Sequence, residues 1–157
     1  MKNPPEEFLI VYEDHRNGIL RKQTMEKQLA SLGYDTRCIR SCRVETAALL
    51  NGIPSYRLAL ELSRDIRGKF VFSTSDVVSF SMLEGFREKN LTPGKDFQLL
   101  SYDNLEVNGL LSGKQEPVLS TIDAPRVRSC ERAAELLLDR IGKTMDETII
   151  KIGRAHV

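Results

Sequence analysis

A chain of 157 residues holds one domain and buries roughly 68–70% of its unfolded surface without disulfide staples. Its 41% apolar and 29% charged residues exclude a disordered tail, a collagen repeat and a coiled coil. Twenty-three Lys+Arg against 22 Asp+Glu leave a net charge of +1, too balanced for a domain whose own task is to grip phosphates, so nucleic acid is discounted as a direct partner.

The N-terminal stretch Met1-Lys2-Asn3-Pro4-Pro5-Glu6-Glu7 has a lysine but no apolar segment behind it, so no signal peptide is read there. The first apolar run, Phe8-Leu9-Ile10-Val11-Tyr12, suits a buried strand. A helix is expected from about Gly18 to Leu32, ending at Gly33, which suits a left-handed C-cap. A second strand is expected over Thr36 to Arg40. Arg37, Arg40 and Arg43 then read as a solvated strand edge rather than a phosphate patch. Leu58, Leu62 and Ile66 fall at i, i+4 and i+8 and predict a helix from about Ser55 to Ile66. Phe70-Val71-Phe72 is the third strand. A helix opens at Asp76, with Val77, Phe80, Leu83 and Phe86 behind it, and stops before Pro93-Gly94.

Strands follow at Phe97 to Leu100 and at Val118 to Ile122. Pro125 then suits a first helical turn. The stripe Val127, Cys130, Ala134, Leu137 and Ile141 predicts a helix over about 125–141, closed by Gly142. Thr148 to Ile152 reads as a last strand. Strand and helix alternate throughout, which implies an α/β fold with a doubly wound parallel sheet. Ligands of such sheets bind beyond the carboxyl ends of the strands. The polar sets there are Glu13-Asp14-His15-Arg16, Ser73-Thr74-Ser75-Asp76 and Ser101-Tyr102-Asp103-Asn104.

The three cysteines, Cys38, Cys42 and Cys130, read as reduced thiols, and cytoplasm is the expected location. Cys38 and Cys42 with His15 or His156 fit no usual zinc spacing, so no metal is expected. No Ser-His-Asp order, paired catalytic carboxylates or glycine-rich phosphate loop is present, so neither an enzyme nor a cofactor is expected. That missing loop also weighs against a nucleotide-binding domain.

Phe70-Val71-Phe72-Ser73-Thr74-Ser75-Asp76, followed by Met82-Leu83-Glu84-Gly85-Phe86, resembles the strand, Asn-Asp pair and helix of the lactose/galactose-repressor family of bacterial transcription regulators. Leu91 to Asn104 is similar to that family's strand ending in Gly-Phe/Tyr-Asp-Asp. Pro117 to Pro125 resembles its crossover, and Arg132 to Ile141 the helix after it. Arg21 and Leu29 alone match the family's Arg-Leu-Glu-Gly-Phe-x-x-Ala-Leu helix. Three departures stand out. Ser75 replaces Asn, Ser101 replaces Gly, and Asn104 replaces the second Asp.

The resemblance implies a periplasmic-binding-protein-like fold of type I, in which two lobes clasp a small molecule. Residues 1–157 correspond to the second effector-binding subdomain, and the helix over 125–141 to the other lobe. It implies a small-molecule effector, a sugar or related metabolite, whose cleft closure controls DNA binding by a headpiece outside this chain. Arg21, Ser75, Asp76 and Asp103 are the implied ligand contacts. For Arg21 the alternative is a solvated arginine, and for Asp76 an N-cap. For Asp103, which would accept from adjacent hydroxyls, the alternative is a turn. Tyr102 reads as core packing. Tyr12 and Phe72 read the same way, with stacking on a sugar as their alternative. A homodimer is expected through Phe80, Leu83 and Leu137.

One alternative belongs to another class. Leu9 to His15 and Gly33-Tyr34-Asp35 look like the opening of a response-regulator receiver switched by aspartyl phosphorylation. A receiver needs a phosphoacceptor Asp after its third strand, and Asp76 lies too far along the chain.

Overall fold

The computed structural model describes residues 7–45, 52–106 and 118–140. The chain divides into two compact units, Met1–Asp123 and Ala124–Val157. The first unit runs β1 (Phe8–Glu13), α1 (Arg16–Ser31), β2 (Ile39–Val44), α2 (Ile53–Leu62), β3 (Phe70–Ser73), α3 (Asp76–Glu88), β4 (Gln98–Tyr102) and β5 (Ser120–Ile122). The five strands form one sheet in the order β2-β1-β3-β4-β5, and every neighbouring pair is parallel. The order reverses at β1, so the switch point, where such sheets open a crevice, lies between β1 and β3.

Side chains of a strand alternate between faces, and the core follows that period. Leu9 and Val11 of β1, Val71 of β3 and Leu99 of β4 pack with Ala59 and Leu62 of α2 and Val78, Met82 and Phe86 of α3. Phe8, Ile10 and Phe72 point to the other face, with Leu29 and Met25 of α1. Phe72 is therefore core, and so not a stacking surface. Each fully buried Val, Leu or Ile stabilises the fold by ~1.5–3 kcal/mol. Gly85 makes the α2–α3 crossing close, since a Cβ there would lie 2.6 Å from the Tyr56 carbonyl oxygen and 2.9 Å from the Ala59 Cβ.

Two sequence expectations need correction. The second strand is displaced along the chain: Thr36–Cys38 forms a single 3-10 turn and pairing starts at Ile39. Asp35 causes this, because its carboxylate accepts from the Arg37 backbone N–H at 2.8 Å and from the Arg37 guanidinium. The turn therefore outcompetes extension. Arg40 and Arg43 are exposed on the edge strand, as expected. The second correction concerns self-association. Leu83 is only 7% exposed and belongs to the core, and Phe80 is half-buried against it, so α3 offers Leu83 to its own sheet rather than to a second copy.

Within the second unit, α4 (Arg126–Arg140) leaves Val127, Leu137 and Leu138 exposed. Ile141, Gly142 and the expected last strand at Thr148–Ile152 lie outside the described residues. Among the described residues no helix is long and apolar enough to cross a membrane.

Candidate functional site

β1 delivers Glu13 to the carboxyl edge of the sheet with only 2% of its surface exposed. Two residues on, His15 caps α1, its Nδ1 accepting the Gly18 N–H at 3.1 Å. Glycine at position 18 is required there. A Cβ would stand 2.3 Å from the Glu13 carbonyl oxygen, so the first turn of α1 lies directly on the end of β1. One turn further along α1, Arg21 reaches back over the edge.

Arg21 is the centre of the arrangement. Its Nη1 donates to the Thr74 carbonyl at 2.7 Å and to Asp103 Oδ2 at 3.1 Å, and its Nη2 donates to Asp103 Oδ1 at 2.9 Å. The fork matches the carboxylate geometrically, which fixes both groups as well as neutralising them. The Tyr102 ring lies 4.0 Å from the guanidinium carbon and supports its face. Tyr102 thus does more than pack.

Asp103 itself sits at φ 112, a conformation that side chains other than glycine adopt only at a cost of ~1–3 kcal/mol. Asn104 follows at φ 52, in the left-handed region that Asn tolerates. The surroundings over-determine this bend. The Asp103 N–H donates to the Ile122 carbonyl at 2.9 Å, and the Asn104 N–H to Thr121 Oγ1 at 3.2 Å. Asp76 accepts from the Leu105 N–H through Oδ2 and from the Thr121 hydroxyl through Oδ1, both at 2.7 Å.

Asp76 therefore reads differently from its sequence-based expectation. It is the first residue of α3, and the cap is Ser75, whose Oγ accepts from the Val77 N–H at 3.3 Å. Asp76 is 0% exposed and each carboxylate oxygen is engaged, so it holds the 103–105 bend in place and is withdrawn as a ligand contact. Ser75 keeps its own hydroxyl proton to donate. Its carbonyl accepts from the Ser73 hydroxyl at 3.0 Å and the Ser79 hydroxyl at 3.2 Å. Ser101 Oγ lies 2.7 Å from Ser79 Oγ, which gives the Ser101 departure a partner inside the core.

The structure thus brings Arg21 and Asp103 into direct contact, with Thr74 and Ser75 beside them. Glu13, His15 and Thr74 complete the edge. The Thr74 hydroxyl donates to Glu13 Oε2, and Glu13 Oε1 lies 3.9 Å from His15 Nε2. All three lie in the polar sets that follow the strands, but none is among the ligand contacts expected from the sequence. The available signals were a glutamate closing an apolar run and a histidine three residues before a glycine. Among the described residues, no three His, Cys, Asp or Glu side chains cluster as a metal site.

A family model described as a periplasmic binding protein-like domain matches residues 6–154. The chain belongs to that family. An HTH-type transcriptional repressor PurR of Aliivibrio fischeri is 27% identical over 112 residues, 71% of this chain and 31% of the repressor. A LacI family transcriptional regulator from Enterococcus faecium with bound ribose superposes with a TM-score of 0.70 at 20% identity, covering 91% of this chain and 50% of the other. A LacI-family regulatory protein from Corynebacterium glutamicum gives 0.66 at 21%, covering 90% and 52%. The periplasmic binding protein-like fold and the resemblance to the lactose/galactose repressors both hold. The chain spans about a third of that curated relative and about half of those solved chains.

Proposed function

We propose that this chain is part of the effector-sensing module of a bacterial transcription regulator, with no catalytic step of its own. The observation that carries this reading is the Arg21–Asp103 fork at the switch-point edge of the sheet, with Ser75 beside it. The fork presents an acceptor pair and a donor group side by side. A ligand with adjacent hydroxyls suits it, because a hydroxyl both donates and accepts. The relatives named as transcriptional repressors, and the solved neighbour with bound ribose, support a sugar or related metabolite as the ligand class. The receiver alternative loses its basis, since Asp76 is sealed and no other aspartate follows β3 closely.

Ligand would act by favouring the cleft geometry that it binds more tightly. DNA contact would belong to a headpiece outside these residues, and the cytoplasm is the location that fits. The helix α4 belongs, in this reading, to the other lobe, the first effector-binding subdomain. Its Leu137, 66% exposed, together with Val127, then offers ~1.5–3 kcal/mol per side chain to whatever covers it. Self-association to a homodimer is the expected result, and light scattering that finds only monomer at high concentration would count against it.

A single lobe makes about half the contacts of a closed cleft, and charge-assisted hydrogen bonds are worth ~1.5–3 kcal/mol each. A ligand that the whole protein binds at micromolar concentration is therefore expected to bind here only at millimolar concentration or above. Titration of D-ribose, followed by amide NMR, should move Ser75, Asp103 and Asn104, and Arg21→Ala should abolish those shifts. Shifts that persist in Arg21→Ala, or that map away from this edge, would sink the reading.

A further inference from the structure

Three carboxylates and one guanidinium gather at the switch-point edge. Glu13 closes β1, Asp76 opens α3, Asp103 follows β4, and Arg21 is the cation. His15 is neutral as the structure holds it. Its Nδ1 accepts the Gly18 N–H, and an imidazolium has no acceptor atom. The exposed neighbours Asp14 and Arg16 are of opposite sign and offset each other. Two negative charges remain. The N-termini of α1 and α3 oppose them, each equivalent to roughly half a positive charge. About one negative charge is left at the edge.

Glu13 decides that sign. Asp103 is matched by Arg21, and Asp76 lies in the first turn of α3, where the helix terminus offsets it. Glu13 accepts from the Thr74 hydroxyl, the His15 ring stands 3.9 Å away, and no Lys or Arg among the described residues pairs with it. Its burial keeps water from screening it as fully as a surface charge.

We propose that Glu13 is the charge-selectivity residue of this site: its carboxylate lets the edge admit uncharged, hydroxyl-rich ligands and turn away phosphorylated or carboxylated ones. This assignment rests on the small-molecule reading above and deepens it. A phosphate group approaching the edge enters the field of a carboxylate with no paired cation, which disfavours it by about tenfold or more at separations of several ångströms. An uncharged hydroxyl pays no such penalty.

The test uses the 157-residue chain and its Glu13→Gln variant, which keeps an acceptor for Thr74 and removes the charge. Amide NMR follows Ser75, Asp103 and Asn104 during titration with D-ribose, D-ribose 5-phosphate and inorganic phosphate. The wild-type chain should favour ribose over its 5-phosphate by about tenfold or more, and Glu13→Gln should erase about that factor. Equal response of the wild type to both sugars overturns the assignment and leaves the sugar site standing, a result that does not need the variant to fold. An unchanged ratio in Glu13→Gln overturns it as well. If ribose moves nothing, the sugar reading fails, and the phosphate arm decides the charge question. Phosphate shifts in Glu13→Gln alone sustain the assignment; shifts in both proteins or in neither overturn it.

Discussion

Helices α1 and α3 lie against opposite faces of one sheet and are held by different means. α3 buries seven of its 13 residues, among them Val78, Met82 and Phe86, so hydrophobic burial fixes it. α1 buries only Gly18 and Leu29 among its 16, so polar contacts at its N-terminal half must locate it. Those contacts are the His15 cap, the close approach at Gly18 and the Arg21 fork. All of them belong to the edge that carries the candidate site. In this fold the helix that contributes most to the candidate site is the one least anchored by the core, which suits an element whose contacts change when a ligand arrives.

The largest expected effect comes from breaking the apolar side of this contrast. Phe86→Ala removes a ring that is 0% exposed and lies 4.7 Å, centroid to centroid, from that of Phe97. It should destabilise the whole unit by ~3–5 kcal/mol, read from the urea midpoint. A loss much smaller than this would mean that α3 is not core-held. Gly18→Ala attacks α1 instead. The Cβ must push the helix off Glu13, at ~1–3 kcal/mol. Hydrogen exchange should quicken in α1 while α3 stays protected. Equal acceleration in both helices would erase the distinction.

The smallest effect sharpens the α3 side. Beyond that helix, Asp96 accepts from the Thr92 N–H at 2.8 Å and pairs with Arg67. Those two contacts, the first above all, hold its carboxyl below the ordinary range. A carboxyl lowered by folding stabilises fully above its unfolded value, near pH 4, and loses that contribution as pH falls through the folded value. Thermal melts below pH 4 should therefore fall less steeply for Asp96→Asn than for the parent chain. Parallel melts would show that the exit loop of α3 is not coupled to its stability.

Much of the fold was legible because its strands are short apolar runs whose period matches two faces, as in Phe8 to Val11. The helix that starts at Asp76 is legible from the apolar series behind it, Val77, Phe80, Leu83 and Phe86. The misplaced β2 came from Asp35, where a local side-chain contact overrides an extended preference that composition favours. Arg21 and Asp103 could be nominated one at a time, but their mutual contact joins residues on α1 and after β4, and no spacing in the sequence reports it. Asp76 reads from the sequence as a ligand contact with an N-cap as its alternative, because a carboxylate at the start of a helix commonly takes one role or the other. Here the residue before it took the capping role and freed Asp76 to turn inward. Glu13 stands in the polar set after β1 without being named a site residue, because a charged residue ending an apolar run looks like an exit to solvent.

Position 103 is where stability and recognition pull in opposite directions. At φ 112 the backbone would accept glycine without strain, whereas Arg21 needs the carboxylate that only an acidic residue supplies. Laboratory selection that relaxes this bend with glycine discards the partner of Arg21, and with it one of the contacts that locate α1. A heat-tolerant variant drawn from such a selection should be sequenced at this codon before anyone asks why it no longer responds.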